Sequence, residues 1–186
     1  MTRAFNKATW IWLDTECDPT IVTDSNWIID PIFDNEAWAN QIGPIYWSFP
    51  GGNSITTPTV DSYNASQLII QQNSSWRLIQ AERDRRKGTG GYKVGNYWFH
   101  SDDTSRIQQI ALVMMGAGMP SGIMWKTMTG EFVLMTPTLA GQIFQAAASS
   151  DIVIFSVAES KKVAMMSSTT PNTYDYLSGW PLMFGE

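Results

Sequence analysis

Residues 93–135 carry a succession of turn and helix signals that few folds can accommodate. The first signal is a pair of short aromatic and β-branched runs, 92–94 and 97–99, which are separated by Gly95 and Asn96. This spacing is typical of a β-hairpin, because glycine supplies the positive φ that a tight turn needs.

A second hairpin is predicted near the end of the same segment. Residues 123–127 and 131–135 are strand-like, and the turn between them ends at Gly130. A glycine in that place suits a three-residue hairpin loop. The segment is therefore predicted to contain two hairpins, with a helix between them.

The residues between the two hairpins have the pattern of one helix. Asp102 and Asp103 supply side-chain oxygens able to cap the free N–H groups of a helix start. Gly116 and Gly118 end the pattern, and Pro120 prevents it from resuming. The apolar positions recur at intervals of three and four and form one apolar face: Ile107, Ile110, Ala111, Met114 and Met115.

Two longer helices are predicted on either side of this segment. Residues 61–87 and 137–167 have apolar positions at helical spacing, and Thr136 followed by Pro137 suits a helix start. Ser and Asp at 149–151 leave open whether the second stretch is one long helix or two abutting helices.

The chain divides into three parts by composition, with an α+β fold expected overall. Residues 1–61 lack helical periodicity and alternate aromatic runs with Pro, Asp and Asn, which predicts an irregular, β-rich arm. Residues 62–167 are the predicted core domain, with two short antiparallel hairpins packed on three or four helices. Residues 168–186 are linker-like and then aromatic, and we expect them to form a docking tail.

Charge and composition argue against several classes of function. A net charge of −5 disfavours a nucleic-acid-binding protein, which needs clustered cations to displace counterions. Cys17 is the single cysteine, so an internal disulfide is impossible. No apolar run approaches the length of a membrane span, and the first residues lack a signal-peptide core. These features predict a protein made in a reducing compartment.

The sequence offers one weak candidate for catalysis or metal binding. His100, the only histidine, precedes Ser101, Asp102 and Asp103, but a Ser-His-Asp triad converges from separate segments rather than from neighbours in sequence. The same cluster together with Cys17 has no recognised metal-ligand spacing. We therefore expect no enzyme activity, no cofactor and no metal.

Aromatic side chains are abundant and charged ones are scarce, at 12% and 16% of the chain. Surfaces with this bias are often covered by another chain, although a tryptophan-rich core would have the same composition. The aromatic tail can likewise fold back on its own chain or dock on a neighbouring subunit, and docking is the hypothesis adopted. The predicted interface residues are Trp10, Trp12, Trp27, Trp47, Tyr174, Tyr176, Trp180 and Phe184.

Several short motifs follow one another in a fixed order between residues 83 and 136. They are the basic run RDRR, a Gly-Gly turn, an aromatic strand with Trp98, the helix start SDDTSR and the hairpin WKTMTG, which begins at Trp125 and ends at Gly130. This order and spacing resemble a domain of unknown function that is common in tailed-phage proteins. The resemblance covers about residues 65–166.

The resemblance implies structural roles and no catalytic residues. It makes Asp102 and Asp103 helix caps, lets Arg106 bridge to one of them, and places Trp98 and Trp125 in the core. Members of the domain usually occur near tail, tail-fibre and baseplate proteins.

The resemblance, the aromatic termini and the lack of a catalytic constellation together predict a non-enzymatic structural protein of a tailed-phage virion, in the tail, baseplate or fibre-attachment region. It would be made in the host cytoplasm and would hold neighbouring subunits through its aromatic arm and tail. Its partners would be other tail or fibre proteins and further copies of itself, with a trimer or a ring of six both compatible with virion symmetry. The alternatives are a fibre-assembly chaperone absent from the mature particle, a module that binds host glycans, and a small hydrolase that uses His100.

Overall fold

The computed structural model describes residues 2–15 and 25–186, and its fold is α+β, as the sequence predicts. The chain divides into two compact units, residues 1–66 and 67–186, with the division inside one long helix. The first unit contains strands β1 (Thr2–Asn6), β2 (Ile11–Thr15), β3 (Trp27–Ile29), β4 (Ile32–Phe33), helix α1 (Glu36–Ile42), strands β5 (Ser48–Gly51) and β6 (Ser54–Thr56), and the start of helix α2 (Val60–Thr89).

The first unit has a small aromatic core of its own. Strand β1 lies between β2 and β3 in antiparallel register, while β6 pairs in parallel with β4 and antiparallel with β5. Helix α1 begins after Asn35, whose side chain accepts a hydrogen bond from the Trp38 backbone N–H at 3.1 Å. The buried core residues are Phe5, Ile28, Ala39, Trp47 and Ile55.

The second unit contains the predicted hairpin, helix, hairpin segment between two long helices. Glycines with positive φ, Gly95 at 59° and Gly130 at 90°, form the two hairpin turns, which confirms both predicted hairpins. The elements of this unit are the rest of α2, strands β7 (Tyr92–Val94) and β8 (Tyr97–Phe99), helix α3 (Asp103–Met115), strands β9 (Met124–Lys126) and β10 (Phe132–Leu134), and helix α4 (Pro137–Met166).

Helix α4 runs without a break through Ser149–Ser150–Asp151, so the alternative of two abutting helices was wrong. Its N-cap is Thr136, whose hydroxyl accepts from the Leu139 N–H at 3.1 Å. Asp151 does not cap a second helix, because its carboxylate binds a guanidinium group on α3 instead.

Helix α3 is turned away from the orientation that its apolar periodicity predicts. Its buried residues are Gln109 and Leu112, whereas the predicted apolar face is exposed to solvent. Ile107 and Met114 are 69% and 84% exposed. Leu112 lies in the main core of the second unit, a buried cluster that also contains Tyr92, Phe99, Val133, Met135, Ala140 and Ile143. This packing and the polar contacts from Arg106 and Gln109 to other elements together hold the helix in its rotation. Helical periodicity carries no information about such contacts.

Candidate functional site

A polar network at the start of α3 ties together distant parts of the second unit. Asp102 caps the helix, since its carboxylate accepts from the Ser105 N–H at 2.9 Å and from the Ser105 hydroxyl at 2.7 Å. These bonds hold the pKa of Asp102 below its usual value. One turn into the helix, Arg106 forms a bidentate pair with Asp151 of α4, with N–O distances of 2.7 and 2.9 Å.

Besides Asp151, the Arg106 guanidinium contacts three further residues. Its Nε donates to the Ser101 carbonyl at 2.7 Å, and Nη2 also donates to the Lys87 carbonyl at 3.1 Å. Its guanidinium carbon lies 5.5 Å from the centre of the Tyr92 ring. One side chain thus joins the ends of α2 and β8, the strand β7 and the helix α4.

Two buried polar residues extend the network into the core. The Tyr92 hydroxyl donates to Gln109 Oε1 at 2.8 Å, and Gln109 Nε2 donates to the His100 carbonyl at 3.0 Å. Burial raises the pKa of Tyr92, so its hydroxyl stays protonated and donates at neutral pH. Within the described residues, every buried side-chain nitrogen or oxygen has a hydrogen-bond partner.

A cavity of about 200 Å³ lies above this network, between α3 and α4. Tyr92, Arg106, Gln109 and Asp151 form its polar part, and their polar groups are already paired with one another or with backbone carbonyls. The rest of the wall is apolar and consists of Ile110, Phe144, Ala147 and Ala148. A charged ligand would have to break existing bonds, whereas an apolar group would not.

The cavity opens within a larger exposed apolar surface, here named the α3–α4 face. Three residues of the cavity wall, Ile110, Phe144 and Ala148, are also exposed on this surface. Ile152 follows one turn further along α4 and is 70% exposed. The α3–α4 face consists of Ile107, Ile110, Ala111, Met114, Met115, Phe144, Ala148 and Ile152.

The predicted interface residues of the arm have different environments. Trp47 is buried, and its indole N–H donates to the Ala39 carbonyl at 3.0 Å. Trp27, in β3, is half-buried. Trp10 and Trp12 are exposed; Trp10 lies in the turn before β2, at a φ of 59°, and Trp12 lies in β2 itself.

The predicted interface residues of the tail lie mostly against their own chain. Tyr174, Tyr176 and Trp180 pack on a buried cluster formed by Ile79 of α2 with Ala158 and Met165 of α4. Phe184 is bound through its backbone N–H, which donates to the Gly90 carbonyl at 2.8 Å, and its ring lies 6.1 Å from that of Trp98.

Charged groups also hold the tail in place. Arg86 on α2 donates to the Pro181 carbonyl at 2.7 Å and to Glu186 at 3.0 Å. Glu82 accepts from Arg86 Nε at 2.6 Å and orients that guanidinium. The tail therefore folds back on α2 and α4 of its own chain.

The residues of the sequence motif have structural roles. Asp103 lies in the first turn of α3, and Gly130 closes the β9–β10 turn. Trp98 and Trp125 are half-buried, and Trp125 packs against the main core of the second unit. Arg106, expected to bridge to Asp102 or Asp103, pairs with Asp151, a partner 45 residues away that local sequence does not reveal.

In the parts of the chain that the structure describes, no three His, Cys, Asp or Glu side chains gather closely enough to hold a metal ion. Cys17 lies outside those parts, so its suggested role with His100 has no structural description. Across the same described ranges, none of the helices has both the length and the apolar character required to cross a membrane.

Comparison with known proteins identifies the second unit as a family domain. A family model described as a domain of unknown function, DUF4376, matches residues 70–178, which is more than half of the chain. The match takes in Tyr174 and Tyr176 of the tail, which the sequence resemblance left out. No curated protein and no solved structure matches the chain. The chain belongs to the DUF4376 family of domains of unknown function.

Proposed function

We propose that this protein is a non-enzymatic structural component of a tailed-phage virion, in the tail, baseplate or fibre-attachment region, which holds neighbouring subunits together. The observation that carries the proposal is the exposed α3–α4 face, because contiguous apolar surface of this kind marks interaction sites. The phage assignment rests on the motif order between residues 83 and 136 and on its resemblance to a phage-associated domain.

The Arg106 network supports a scaffolding role over a catalytic one. Arg106, Asp151, Tyr92 and Gln109 are the charged and polar groups nearest the cavity, and they bind one another or backbone carbonyls. A catalytic group needs a free proton, lone pair or charge directed at a substrate. These side chains instead fix the relative positions of α3, α4 and β7.

The proposal places the subunit contacts differently in the tail and in the arm. The aromatic residues of the tail already pack on α2 and α4 of their own chain, so they stabilise the subunit and do not bind a neighbouring one. Trp10 is 48% exposed on the first unit and remains available, whereas Trp12 is 37% exposed and its ring also packs against Phe5 and Trp47. Other tail or fibre proteins and further copies of this chain are the proposed partners, in a virion assembled from proteins made in the host cytoplasm.

Peptide mass spectrometry of gradient-purified particles from the source phage tests the proposal. We expect the chain at a fixed ratio to known structural proteins, and the copy number should fit the symmetry of the tail, as in a trimer or a ring of six. If the chain is abundant in infected cells and absent from particles, the proposal is wrong and the fibre-assembly chaperone replaces it.

A groove of about 320 Å³ in the first unit favours glycan binding as a second candidate function. It is lined by Arg3, Trp12, Glu36 and Asn40, so an exposed aromatic ring lies beside polar groups of the kind that bind sugar hydroxyls. Arg3 and Glu36 form an ion pair at 3.0 Å and are about half exposed, so a sugar hydroxyl would add to this pair or replace it. A glycan array with the intact protein tests this candidate. Binding that is lost in Trp12→Ala and kept in Trp10→Ala would support it, whereas an array without binding would remove it.

A further inference from the structure

On the α3–α4 face, large exposed apolar side chains surround a cavity whose charged groups, Arg106 and Asp151, are paired with each other. On α3 its members lie at spacings of three and four, so they form a continuous ridge along one side of the helix. Ile110, Phe144 and Ala148 meet at the cavity, which joins this ridge to α4. Soluble monomers rarely expose a contiguous apolar patch of several hundred Å².

The face contains both a projection and a hole. Met114 is 84% exposed, the largest exposed fraction among the large apolar side chains of the described residues, and its side chain is unbranched and flexible. The cavity of about 200 Å³ lies one helical turn away, beside Ile110. Because a water molecule occupies about 30 Å³, the cavity can receive the end of an apolar side chain.

We propose that a second copy of this chain covers the α3–α4 face, with the same face of both copies meeting across a two-fold axis. An isologous contact requires one patch to be complementary to itself, and this patch carries the projection and the hole side by side. The inference rests on the proposed subunit-binding function and specifies which surface performs it.

The size of the face agrees with that of a stable dimer. Its large side chains are each on the order of 150–200 Å² when fully accessible, so at their observed exposures the whole face offers roughly 700 Å². A standard specific interface buries about 800 Å² per partner, and the polar residues around the rim supply the remainder. The tail cannot be the occupant, because it is bound along α2 and α4 through Trp180 and Arg86.

Sedimentation equilibrium of the full chain over a range of concentrations tests the inference. We expect a monomer–dimer equilibrium in which Ile107→Glu and Met114→Glu each weaken association roughly 100-fold or more, since each would bury an unpaired carboxylate. Both side chains are exposed in the single subunit, so the fold should persist, which far-ultraviolet circular dichroism would verify. Ile45→Glu is the matched control, because Ile45 is 63% exposed and lies in the first unit.

Hydroxyl-radical footprinting locates the contact independently of substitution. Met114 should be protected from oxidation at concentrations that favour the dimer, whereas Met124, on the exposed side of β9, should not be. Several outcomes would overturn the inference: a wild type that stays monomeric, a stoichiometry other than two, or equal oxidation of Met114 at low and high concentration. Undiminished association of both glutamate variants would do so as well.

The two proposals fail separately in these experiments. A dimer that forms through Met114 but is absent from purified particles leaves the inference standing and removes the virion role. A monomer that is found in particles at fixed stoichiometry does the reverse.

Discussion

Arg106 makes more inter-element contacts than its place in a helix start suggests. Its pair with Asp151 is largely shielded, with 17% and 27% of the two side chains exposed. Loss of one member of such a pair leaves the other charge without its partner in a poorly hydrated site. Removal of Arg106 alone should therefore destabilise the fold, even if replacement of both members of the pair by apolar residues would not.

We expect Arg106→Ala to lower the free energy of unfolding by about 2–4 kcal/mol, because it orphans Asp151 and the carbonyls of Ser101 and Lys87. Urea denaturation measures this change. Glu159→Ala is the control, since it removes an exposed ion pair with Lys162 and should cost less than about 1 kcal/mol. Equal effects of the two substitutions would contradict the assigned role.

Gly91 and Gly88 provide a matched pair of glycine-to-alanine substitutions. Gly91 has a φ of 72°, and a Cβ there would collide with the Met128 sulfur and lie 3.0 Å from the Phe99 carbonyl oxygen. Gly88 lies within α2 and has open space around its Cα. We expect Gly91→Ala to destabilise by at least about 1 kcal/mol and Gly88→Ala to stabilise by up to about 1 kcal/mol. Thermal unfolding of both variants checks the difference in sign.

At the scale of elements, Arg86 of α2 binds the tail, and the Glu82 carboxylate that orients Arg86 is sensitive to acid. Hydrogen bonds from Arg85, and then from Arg86, lower the pKa of Glu82 from its ordinary value of 4.5. A lowered pKa in the folded state means that the contribution of Glu82 is complete above about pH 4.5. It is then lost as the pH falls through the lower folded value.

We therefore expect Glu82→Gln to be less stable than the wild type at pH 7, and the difference to shrink as the pH falls below 4.5 and through the lowered pKa of Glu82. Urea denaturation between pH 7 and pH 3 measures the two curves. Glu159→Gln is the control, because it removes a carboxylate from an exposed ion pair and should cost less than about 1 kcal/mol at pH 7. Parallel curves for Glu82→Gln and the wild type would show that this carboxylate does not couple folding to pH.

The tail offers a direct test of whether it belongs to its own chain. We expect Trp180→Ala to lower the free energy of unfolding by about 2–3 kcal/mol, because its ring packs on Ile79, Ala158 and Met165. Leu182→Ala should change it by less than about 0.5 kcal/mol, since Leu182 is 75% exposed. If both variants have wild-type stability at a concentration where the chain is monomeric, the tail does not stabilise its own subunit.

At the scale of the whole molecule, each unit has its own buried cluster. We expect Trp47→Ala to lower protection against hydrogen exchange in β1, β3 and β6 by about 3 kcal/mol, because Trp47 lies in the core of the first unit. Protection of residues 90–186, which include α3, against hydrogen exchange should stay unchanged. Exchange monitored by mass spectrometry resolves the two regions, and faster exchange throughout would contradict separate stability.

Local signals determined most of the elements. The two-residue spacing at Gly95 and Asn96, the turn that ends at Gly130, and Asp102 at a helix start each act within a few residues, so they were readable from the sequence. The order of the motifs likewise indicated a domain of unknown function over about residues 65–166, which is most of the stretch 70–178 that the family model matches. Turns, helix caps and other features that depend on neighbours along the chain could thus be predicted from the sequence.

The tertiary structure decided which faces these elements present. Periodicity located the apolar ridge of α3, but the burial of Leu112 in the core and the long-range bonds of Arg106 and Gln109 turned that ridge to the solvent. Composition likewise could not separate Trp47, which is buried, from Trp10, which is exposed. Burial depends on which distant segments meet, and a sequence pattern records the spacing of apolar residues but not the surface that covers them.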